Sequence, residues 1–222
     1  MSATLEKSLR PPRQERSRRT LERILDALEA LMETAAFEDV TVQQVVTRAR
    51  VSVGSFYARF PTKEALLPAL YDRWDREVRR RSVTERDHDL ARRLGLERLT
   101  RRFVSRLVRR QRQRRWFMRS VALHARRHPE MITPAARRRR TELHREWCSV
   151  FLVHRERIRH PEPEQAVAMA MFVVVTAARE KVVFSDAPHA ASFRLSDRKL
   201  VDELVRVFLA YLGVAAPRRE VQ

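Results

Sequence analysis

A chain of 222 residues that is 44% hydrophobic and contains only three glycines has the composition of a folded, helix-rich protein rather than a disordered one. Its single cysteine, Cys148, excludes an intramolecular disulfide and a cysteine-based zinc site. No stretch reaches the roughly 20 apolar residues of a membrane helix, and the first residues lack the apolar segment of a secretory signal. We therefore expect a cytoplasmic protein that does not associate with membranes.

The net charge is the most pronounced feature of the composition. The chain carries 47 basic and 28 acidic residues, a formal charge of +19, and only four of the basic residues are lysine. An excess of this size indicates an anionic partner, nucleic acid first. A GC-rich genome also favours arginine codons, so both explanations stay open.

The N-terminal segment divides into an arm and a helix. Residues 1–15 contain two adjacent prolines and no hydrophobic periodicity, which predicts a flexible basic arm. From about Arg16 onward, apolar residues recur every three or four positions. This spacing predicts an amphipathic helix that ends near Thr34 or Ala35.

Two short helices are predicted next from their start signals. Thr41 suits an N-cap, and Gln44, three residues later, completes a capping box. Ser52 is a second N-cap candidate. Phe56 and Phe60 are expected to point inward together, because residues four apart share one face of a helix. The proline that follows ends this helix, and a longer fourth helix begins after it.

The rest of the chain keeps a helical periodicity and shows no strand alternation. A polar break is predicted at 83–89 and a loop at 185–196, and Gly213 is expected to end the last helix. The sequence therefore predicts an all-α protein of about nine helices, with a three-helix N-terminal head and a C-terminal helical bundle. The later helices are predicted to include residues 96–107, 113–127, 133–157, 165–184 and 197–212.

A short helix, a tight turn and a second short helix that begins at Ser52 form the helix-turn-helix layout. In that layout the second helix enters the major groove of DNA. Gly54 lies at the tip of this helix, where a missing side chain lets the backbone approach DNA closely. Tyr57, Ala58 and Arg59 are expected to face outward. The alternative is an ordinary helical hairpin in which the glycine occurs by chance.

The segment TVQQVVTRARVSVGSFYARFPTKEALL resembles the DNA-binding head of the tetracycline-repressor (TetR) family of bacterial transcription regulators. The shared elements are a T-V opening, a V-S-x-G-[ST]-φ-Y core, an aromatic residue three positions later and a K-E-x-L-L entry into the fourth helix. The resemblance covers about residues 16–70, and the remainder of the chain matches in layout alone.

This resemblance implies a domain organisation and a function. A helix-turn-helix domain would span residues 16–62, a helical effector-binding and dimerisation domain residues 63–215, and a tail residues 216–222. The protein would be a homodimeric repressor that binds a palindromic operator in double-stranded DNA and is released by a small-molecule effector, without a cofactor. The alternative is a non-specific, arginine-driven architectural DNA-binding protein without an effector.

Family roles carry over to individual positions of the head. Thr41 resembles a phosphate-contacting cap, and Gln43 resembles a position that can reach a base. Val53 would lie against base edges or a thymine methyl, whereas Ser55 and Lys63 would contact phosphate. The full set of expected DNA-binding residues is Thr41, Gln43, Ser52, Val53, Gly54, Ser55, Tyr57, Ala58, Arg59 and Lys63, with Arg16, Arg18 and Arg19 as further contacts from the arm.

Three positions depart from the family pattern. Glycine is usual near Ala36 and near Arg50, and each replacement would cost about 1 kcal/mol if the backbone there needs a positive φ. Ala58 replaces a frequent aromatic residue, which weakens one DNA contact. These departures bear on the turn geometry and not on the motif.

An effector pocket in this architecture would lie between the middle helices, with apolar walls and a few polar groups, and would suit an apolar or anionic ligand. Each candidate residue is also compatible with an ordinary core position. Excess apolar surface on the last two long helices, about 163–184 and 197–212, predicts the dimer interface. The pocket candidates are Phe103, Trp116, Phe117, His124, Trp147, Phe151, Met169 and Phe172.

The positive charge is concentrated outside the predicted head. Residues 1–63 carry a net charge of +3, whereas residues 92–146 contain 19 arginines and four glutamates, a net charge of +15. Four explanations stay open: a solvated surface, an anionic effector such as an acyl-CoA or a fatty acid, an acidic partner, or auxiliary attraction of DNA.

No constellation of residues supports catalysis. His144 and Cys148, four apart on a predicted helix, form the only nucleophile–base pair, and a buried cysteine on a helix face is far commoner. His124 and His128 lack the acidic or cysteine residues that would complete a metal site. We therefore expect neither an enzyme nor a metal-binding protein.

Overall fold

The computed structural model describes residues 13–80 and 83–214. Within these ranges the chain forms eleven α-helices, nine of them at least seven residues long, and no β-strand. The prediction of an all-α protein with about nine helices is therefore confirmed. The predicted tail at 216–222 lies outside the described residues, as does the predicted arm except for residues 13–15, which open the first helix. None of the described helices is long and apolar enough to span a membrane.

The chain divides into two compact units, of which the first ends at Leu70 and the second begins at Tyr71. The first unit contains three helices and the start of a fourth, with one 3-10 turn at Phe37–Asp39. The helices are α1 (Arg13–Leu31), α2 (Val42–Ala49), α3 (Val53–Tyr57) and α4 (Leu66–Arg80).

The core of the first unit forms where α1 packs against α2 and where α3 inserts its aromatic face. Ile24 and Leu28 of α1 are fully buried, as is Val45 of α2. Phe56 and Phe60 are also buried, with ring centroids 5.6 Å apart, which confirms that they point inward together. A helix as short as α3 is unstable in isolation, so this packing holds it in place.

The turn between α2 and α3 places Arg50 in the left-handed region, with φ 52° and ψ 48°. The amides of Arg50 and Val51 donate to the carbonyls of Thr47 (3.1 Å) and Val46 (3.0 Å). This is the Schellman pattern, which usually has glycine at the left-handed position. The predicted strain therefore occurs at Arg50. It does not occur at Ala36, whose backbone is extended at φ −68° and ψ 153°.

The second unit is a bundle built around α9. This helix packs against α6, α7, α8 and α11, and its residues Val167, Met171 and Val174 are buried. Phe151 of α8 and Phe208 of α11 meet beside it with ring centroids 4.9 Å apart. The helices of this unit are α5 (Glu85–Arg93), α6 (Leu96–Gln113), α7 (Arg115–Arg127), α8 (Pro134–Leu152), α9 (Pro163–Val183), α10 (Pro188–Ala191) and α11 (Asp197–Tyr211).

Three boundary predictions in this unit are wrong. The polar break predicted at 83–89 is mostly the start of α5, because the amide and hydroxyl of Thr84 donate to Asp87 Oδ2 at 2.9 and 2.8 Å and cap the helix. The loop predicted at 185–196 contains the single turn α10. The helix predicted to reach residue 157 ends at Leu152, and a 3-10 turn at Arg155–Arg157 follows.

The end of α11 agrees with the prediction. Gly213 has φ 71°, and the amide of Val214 donates to the carbonyl of Leu209 at 3.0 Å, again in a Schellman pattern. A Cβ at Gly213 would come within 3.0 Å of Arg159 Cβ. Glycine is therefore required here for both conformation and space.

Helix α4 is tied to α8 within the second unit by charge and aromatic contacts. The carboxylate of Asp75, which is only 3% exposed, accepts from Arg139 Nε at 2.9 Å. The guanidinium of Arg140 lies 4.8 Å from the ring centroid of Trp74. A buried charge without its partner is costly, so this pair specifies how α4 packs against α8.

We predict that Arg50→Gly raises the free energy of unfolding by about 0.5–1 kcal/mol, because glycine adopts the left-handed conformation without the steric cost that a side chain carries. Urea denaturation followed by circular dichroism measures the change. Ala36→Gly is the matched control and should bring no gain, since that backbone is extended. An unchanged or lower midpoint for Arg50→Gly would contradict the strain assigned to this turn.

Candidate nucleic-acid interface

Thr41 and Gln44 form the predicted capping box at the start of α2. The amide of Gln44 donates to Thr41 Oγ1 at 3.2 Å, and the amide of Thr41 donates to Gln44 Oε1 at 2.7 Å. Gln43, the predicted base-contacting residue, is exposed on the same helix and donates from Nε2 to Thr47 Oγ1 at 3.3 Å. The start of α2 is thus fixed by its own side chains, with Thr41 and Gln43 on the surface.

Ser52 caps α3 as predicted. Its Oγ accepts from the amide of Ser55 at 3.1 Å and donates to Ser55 Oγ at 2.9 Å. This cap sets where α3 begins. Phe56 occupies the buried side of the helix, so other residues form its outward side. The cap and the buried ring together determine which side chains α3 presents.

The outward face of α3 is apolar and has no covering partner in its own unit. Val53 is 43% exposed and Tyr57 is 52% exposed, and the Tyr57 ring rests edge-on against Phe56 with centroids 5.3 Å apart. Ala58 is exposed beside them. Among the described residues of the first unit, Val53 and Tyr57 are the exposed large hydrophobic side chains. Such a face suits contact with base edges and sugar–phosphate surfaces.

Gly54 lies between these two residues, and the unit itself does not require a glycine there. No atom lies within 4 Å of the position that a Cβ would take, and φ is not positive. A glycine within a helix is less favourable than alanine by roughly 0.5–1 kcal/mol. The absence of an internal reason for this glycine supports close approach of an external partner.

Lys63, the predicted phosphate contact, is engaged within its own unit. Its Nζ donates to the backbone carbonyls of Phe37 (3.0 Å), Glu38 (3.1 Å) and Val40 (2.9 Å), and it lies 4.7 Å from the centre of the Phe37 ring. An ammonium group has three donors, and all three are engaged. Lys63 therefore secures the segment between α1 and α2, and the predicted phosphate contact competes with this role.

Arg59 is likewise engaged within its own unit. Its Nη1 donates to the carbonyl of Ser55 at 2.8 Å and its Nη2 donates to Ser17 Oγ at 3.3 Å, so it links α3 to α1. Of the predicted arm contacts, Arg19 pairs with Glu15 and Arg18 is exposed, while the side chain of Arg16 lies outside the described residues. The predicted backbone contact of Arg59 is thus in competition with a structural role.

The predicted pocket residues separate into three groups. Phe103, Trp147 and Phe151 line a cavity of about 650 Å³ in the second unit. The others do not line it. Phe117 is buried against Trp74, with ring centroids 6.0 Å apart.

The remaining pocket candidates lie at other surfaces. Trp116 is half-buried with the guanidinium of Arg115 over its ring, and His124 stacks on His128 with centroids 4.4 Å apart. Met169 and Phe172 were expected in the pocket but are 42% and 61% exposed on α9. They point outward because the opposite side of α9 already fills the core of the bundle.

Many arginines of the segment 92–146 are paired with carboxylates. The hydrogen bond from Arg119 lowers the pKa of Asp186 below its usual value. Pairing of this kind reduces the positive charge available to a polyanion. The ion pairs join Arg92 to Glu85 and Asp89, Arg101 to Asp202, Arg112 to Asp197, Arg114 to Glu77, Arg119 to Asp186 and Arg139 to Asp75.

The environment of Cys148 does not favour a nucleophile. The residue is buried, and burial raises the pKa of its thiol. A reactive cysteine needs the opposite shift, because the thiolate is the nucleophilic form. Among the residues that the structure describes, no group of three or more His, Cys, Asp or Glu side chains is placed to hold a metal ion.

Comparison with known proteins connects this architecture to a family. A family model described as bacterial regulatory proteins, tetR family, matches residues 24–70. A candidate TetR-family transcriptional regulator from Mesorhizobium loti has a similar fold, with a TM-score of 0.63 and 19% identity over 89% of this chain and 97% of that one. A transcriptional regulator from Rhodococcus sp. RHA1 gives a TM-score of 0.54 and 21% identity over 89% and 99%. A search of curated protein sequences found no match.

We predict that Gly54→Ala changes stability and DNA affinity in opposite directions. The free energy of unfolding should rise by roughly 0.5–1 kcal/mol, because the added methyl group improves helix propensity and meets no atom of the chain. DNA affinity should fall by roughly tenfold or more, since overpacking a close contact costs about 1–3 kcal/mol. Urea denaturation and fluorescence anisotropy with labelled DNA measure the two effects. Unchanged DNA affinity would show that Gly54 does not approach DNA.

We predict that Lys63→Met lowers the free energy of unfolding by about 1.5–3 kcal/mol, because three carbonyls lose a charged donor. Arg48→Met, which removes one exposed charge from the same unit, is the control and should leave stability nearly unchanged. Urea denaturation distinguishes them. A Lys63→Met variant with wild-type stability and reduced DNA affinity would instead support the phosphate contact.

Proposed function

We propose that this chain, whose residues 24–70 match the tetR family of bacterial regulatory proteins, is a repressor of that family. It binds a palindromic operator as a homodimer and is released by a small molecule. As a member of that family it is a DNA-binding transcriptional regulator.

The main support for operator recognition is the exposed outward face of α3. Val53, Gly54 and Tyr57 form a surface with a small centre and two exposed apolar flanks. A groove-inserted helix reads base edges through side chains in its first turns. Val53 offers an apolar contact to a thymine methyl, and the Tyr57 hydroxyl is a donor for phosphate. The short caps at Thr41 and Ser52 support the proposal because they present both helix starts at the surface.

Dimerisation through α9 and α11 is supported by their exposed apolar side chains. Met169, Phe172 and Val173 share one face of α9, since residues three and four apart are neighbours on a helix. Val207 and Tyr211, four apart on α11, are also exposed. Exposed apolar residues clustered in this way mark association surfaces. A two-fold axis through such an interface would place two reading helices on related half-sites.

Release by an effector is supported by the cavity of about 650 Å³ in the second unit, which falls within the usual range of small-molecule sites. Val78 and Arg80, near the end of α4, contribute to its lining. Helix α4 begins at Leu66 in the first unit. A ligand that binds only one conformation of α4 would therefore shift the equilibrium between operator-binding and released states.

Selection of bound fragments from randomised and genomic DNA at near-physiological salt tests the proposal. We expect a palindrome whose half-sites are centred about one helical turn, roughly 10 base pairs, or a multiple of it apart. Tyr57→Ala should weaken binding to the recovered site by roughly tenfold. Arg138→Gln, which removes an exposed charge from the second unit, is the control and should bind normally. Binding without sequence enrichment, or an equal loss in both variants, would favour the arginine-driven alternative.

A further inference from the structure

The cavity of the second unit has an apolar floor and a basic opening. It lies between α5, α6, α8 and the end of α4. Val150 and Phe151 are buried at its floor, and the rings of Phe103 and Trp147, 5.7 Å apart, form one wall. Apolar walls of this kind bind hydrocarbon or aromatic groups by excluding water from both surfaces.

The charged residues of the lining are almost all arginines. Arg80, Arg102, Arg106 and Arg110 line the cavity, and Asp87 is the acidic residue among the described lining. The Asp87 carboxylate already accepts two hydrogen bonds from Thr84 in the cap of α5. The lining is therefore strongly positive, and a cationic ligand would be repelled from it.

Arg102 and Arg106 are the arginines placed to hold an anion. They are four residues apart on α6, so they share one face of the helix, and both are exposed. Two other arginines of α6 are paired: Arg101 with Asp202 and Arg112 with Asp197. No carboxylate in the described part of the chain forms an ion pair with Arg102 or Arg106. Two adjacent guanidinium groups match the geometry of a carboxylate or a phosphate.

We infer that this cavity binds an amphipathic anion, a molecule with a hydrocarbon or aromatic body and one carboxylate or phosphate head. The body lies on the floor beside Phe151, between the walls that Phe103 and Trp147 form. The head lies at the opening between Arg102 and Arg106. Under the proposed function, this anion is the effector. The inference rests on the proposed function only for that regulatory role and not for binding of the anion.

The pattern of exposure supports an inserted small molecule over a polyanion. Arg102 and Arg106 are exposed, whereas Val150 and Phe151 are buried and the wall residues Phe103 and Trp147 are half-buried. A nucleic acid backbone would engage the guanidinium groups and leave the apolar floor unused. A neutral apolar molecule would occupy the floor and leave the two cations without a counter-charge. An amphipathic anion satisfies both parts of the site.

Isothermal titration calorimetry on the full-length protein tests the inference with four probes of equal chain length, used below the concentration at which they form micelles. The probes are dodecanoate, dodecyl phosphate, dodecanol and dodecyltrimethylammonium. We expect one molecule of at least one anion per chain, with dodecanol bound roughly tenfold or more weakly, since a charge-assisted hydrogen bond contributes about that factor. The ammonium probe should not bind. The relative affinities of the two anions show which head the site prefers.

Arg102→Gln and Arg106→Gln should each weaken binding of the anion by roughly tenfold and leave dodecanol binding unchanged. Both side chains are exposed, and glutamine has a helix propensity close to that of arginine, so folding should be preserved. Arg98→Gln removes the same charge from an exposed position of α6 that does not line the cavity. This control should bind the anion as the wild type does.

Three results would overturn the inference: equal affinity for dodecanoate and dodecanol, an equal loss in Arg98→Gln and Arg106→Gln, or no binding of either anion. Measuring operator affinity in the same samples separates the two proposals. Anion binding that leaves operator affinity unchanged would overturn effector release while the ligand class stands. Operator binding that is intact in a protein that binds no anion would overturn the ligand class alone.

Discussion

Burial of Phe56 is the interaction on which the candidate DNA-reading surface depends. Helix α3 has five residues, too few to be stable on its own, and the fully buried ring of Phe56 attaches it to the first unit. Full burial of such a ring contributes roughly 1.5–3 kcal/mol. With Phe56 facing inward, Val53 and Tyr57 remain 43% and 52% exposed on the same helix. The same packing that stabilises the unit therefore creates its exposed apolar face.

The basic side chains of this protein serve different purposes in different places. Lys63 uses all three donors on backbone carbonyls, and Arg139 neutralises a buried carboxylate. Arg102 and Arg106 stand at the opening of a cavity without a carboxylate partner among the described residues. A net charge of +19 thus says little about where an anion binds, and the pairing of each cation decides that. The phosphate contact expected of Lys63 from family resemblance therefore competes with its bonds to these carbonyls.

Features that depend on neighbours in sequence could be predicted, and features that depend on distant segments could not. The caps at Thr41 and Ser52 follow from residues three apart, and both are present. The role of Lys63 depends on carbonyls 23 to 26 residues away, which no local pattern indicates. Thr84 shows that even a local signal can be misjudged, since its polar surroundings suggested a break where they form a cap.

The pocket illustrates the same limit. Helix α9 is apolar over most of its surface, so its sequence does not distinguish the side that fills the core from the side that stays exposed. Phe172 was therefore expected in the pocket, although it lies on the outer face. Phe103 and Phe151 do line a cavity, but the arginines that complete it become recognisable only once the helices are assembled.

The central claim is that DNA is read by α3 and not by the arginine-rich surface of residues 92–146. Amide hydrogen exchange, measured by mass spectrometry on the protein with and without a bound operator, tests this claim most directly. If α3 reads the DNA, protection on DNA binding is greatest in peptides that contain residues 52–59 and the start of α2. Greatest protection in peptides from residues 92–146, with little change at α3, would contradict it.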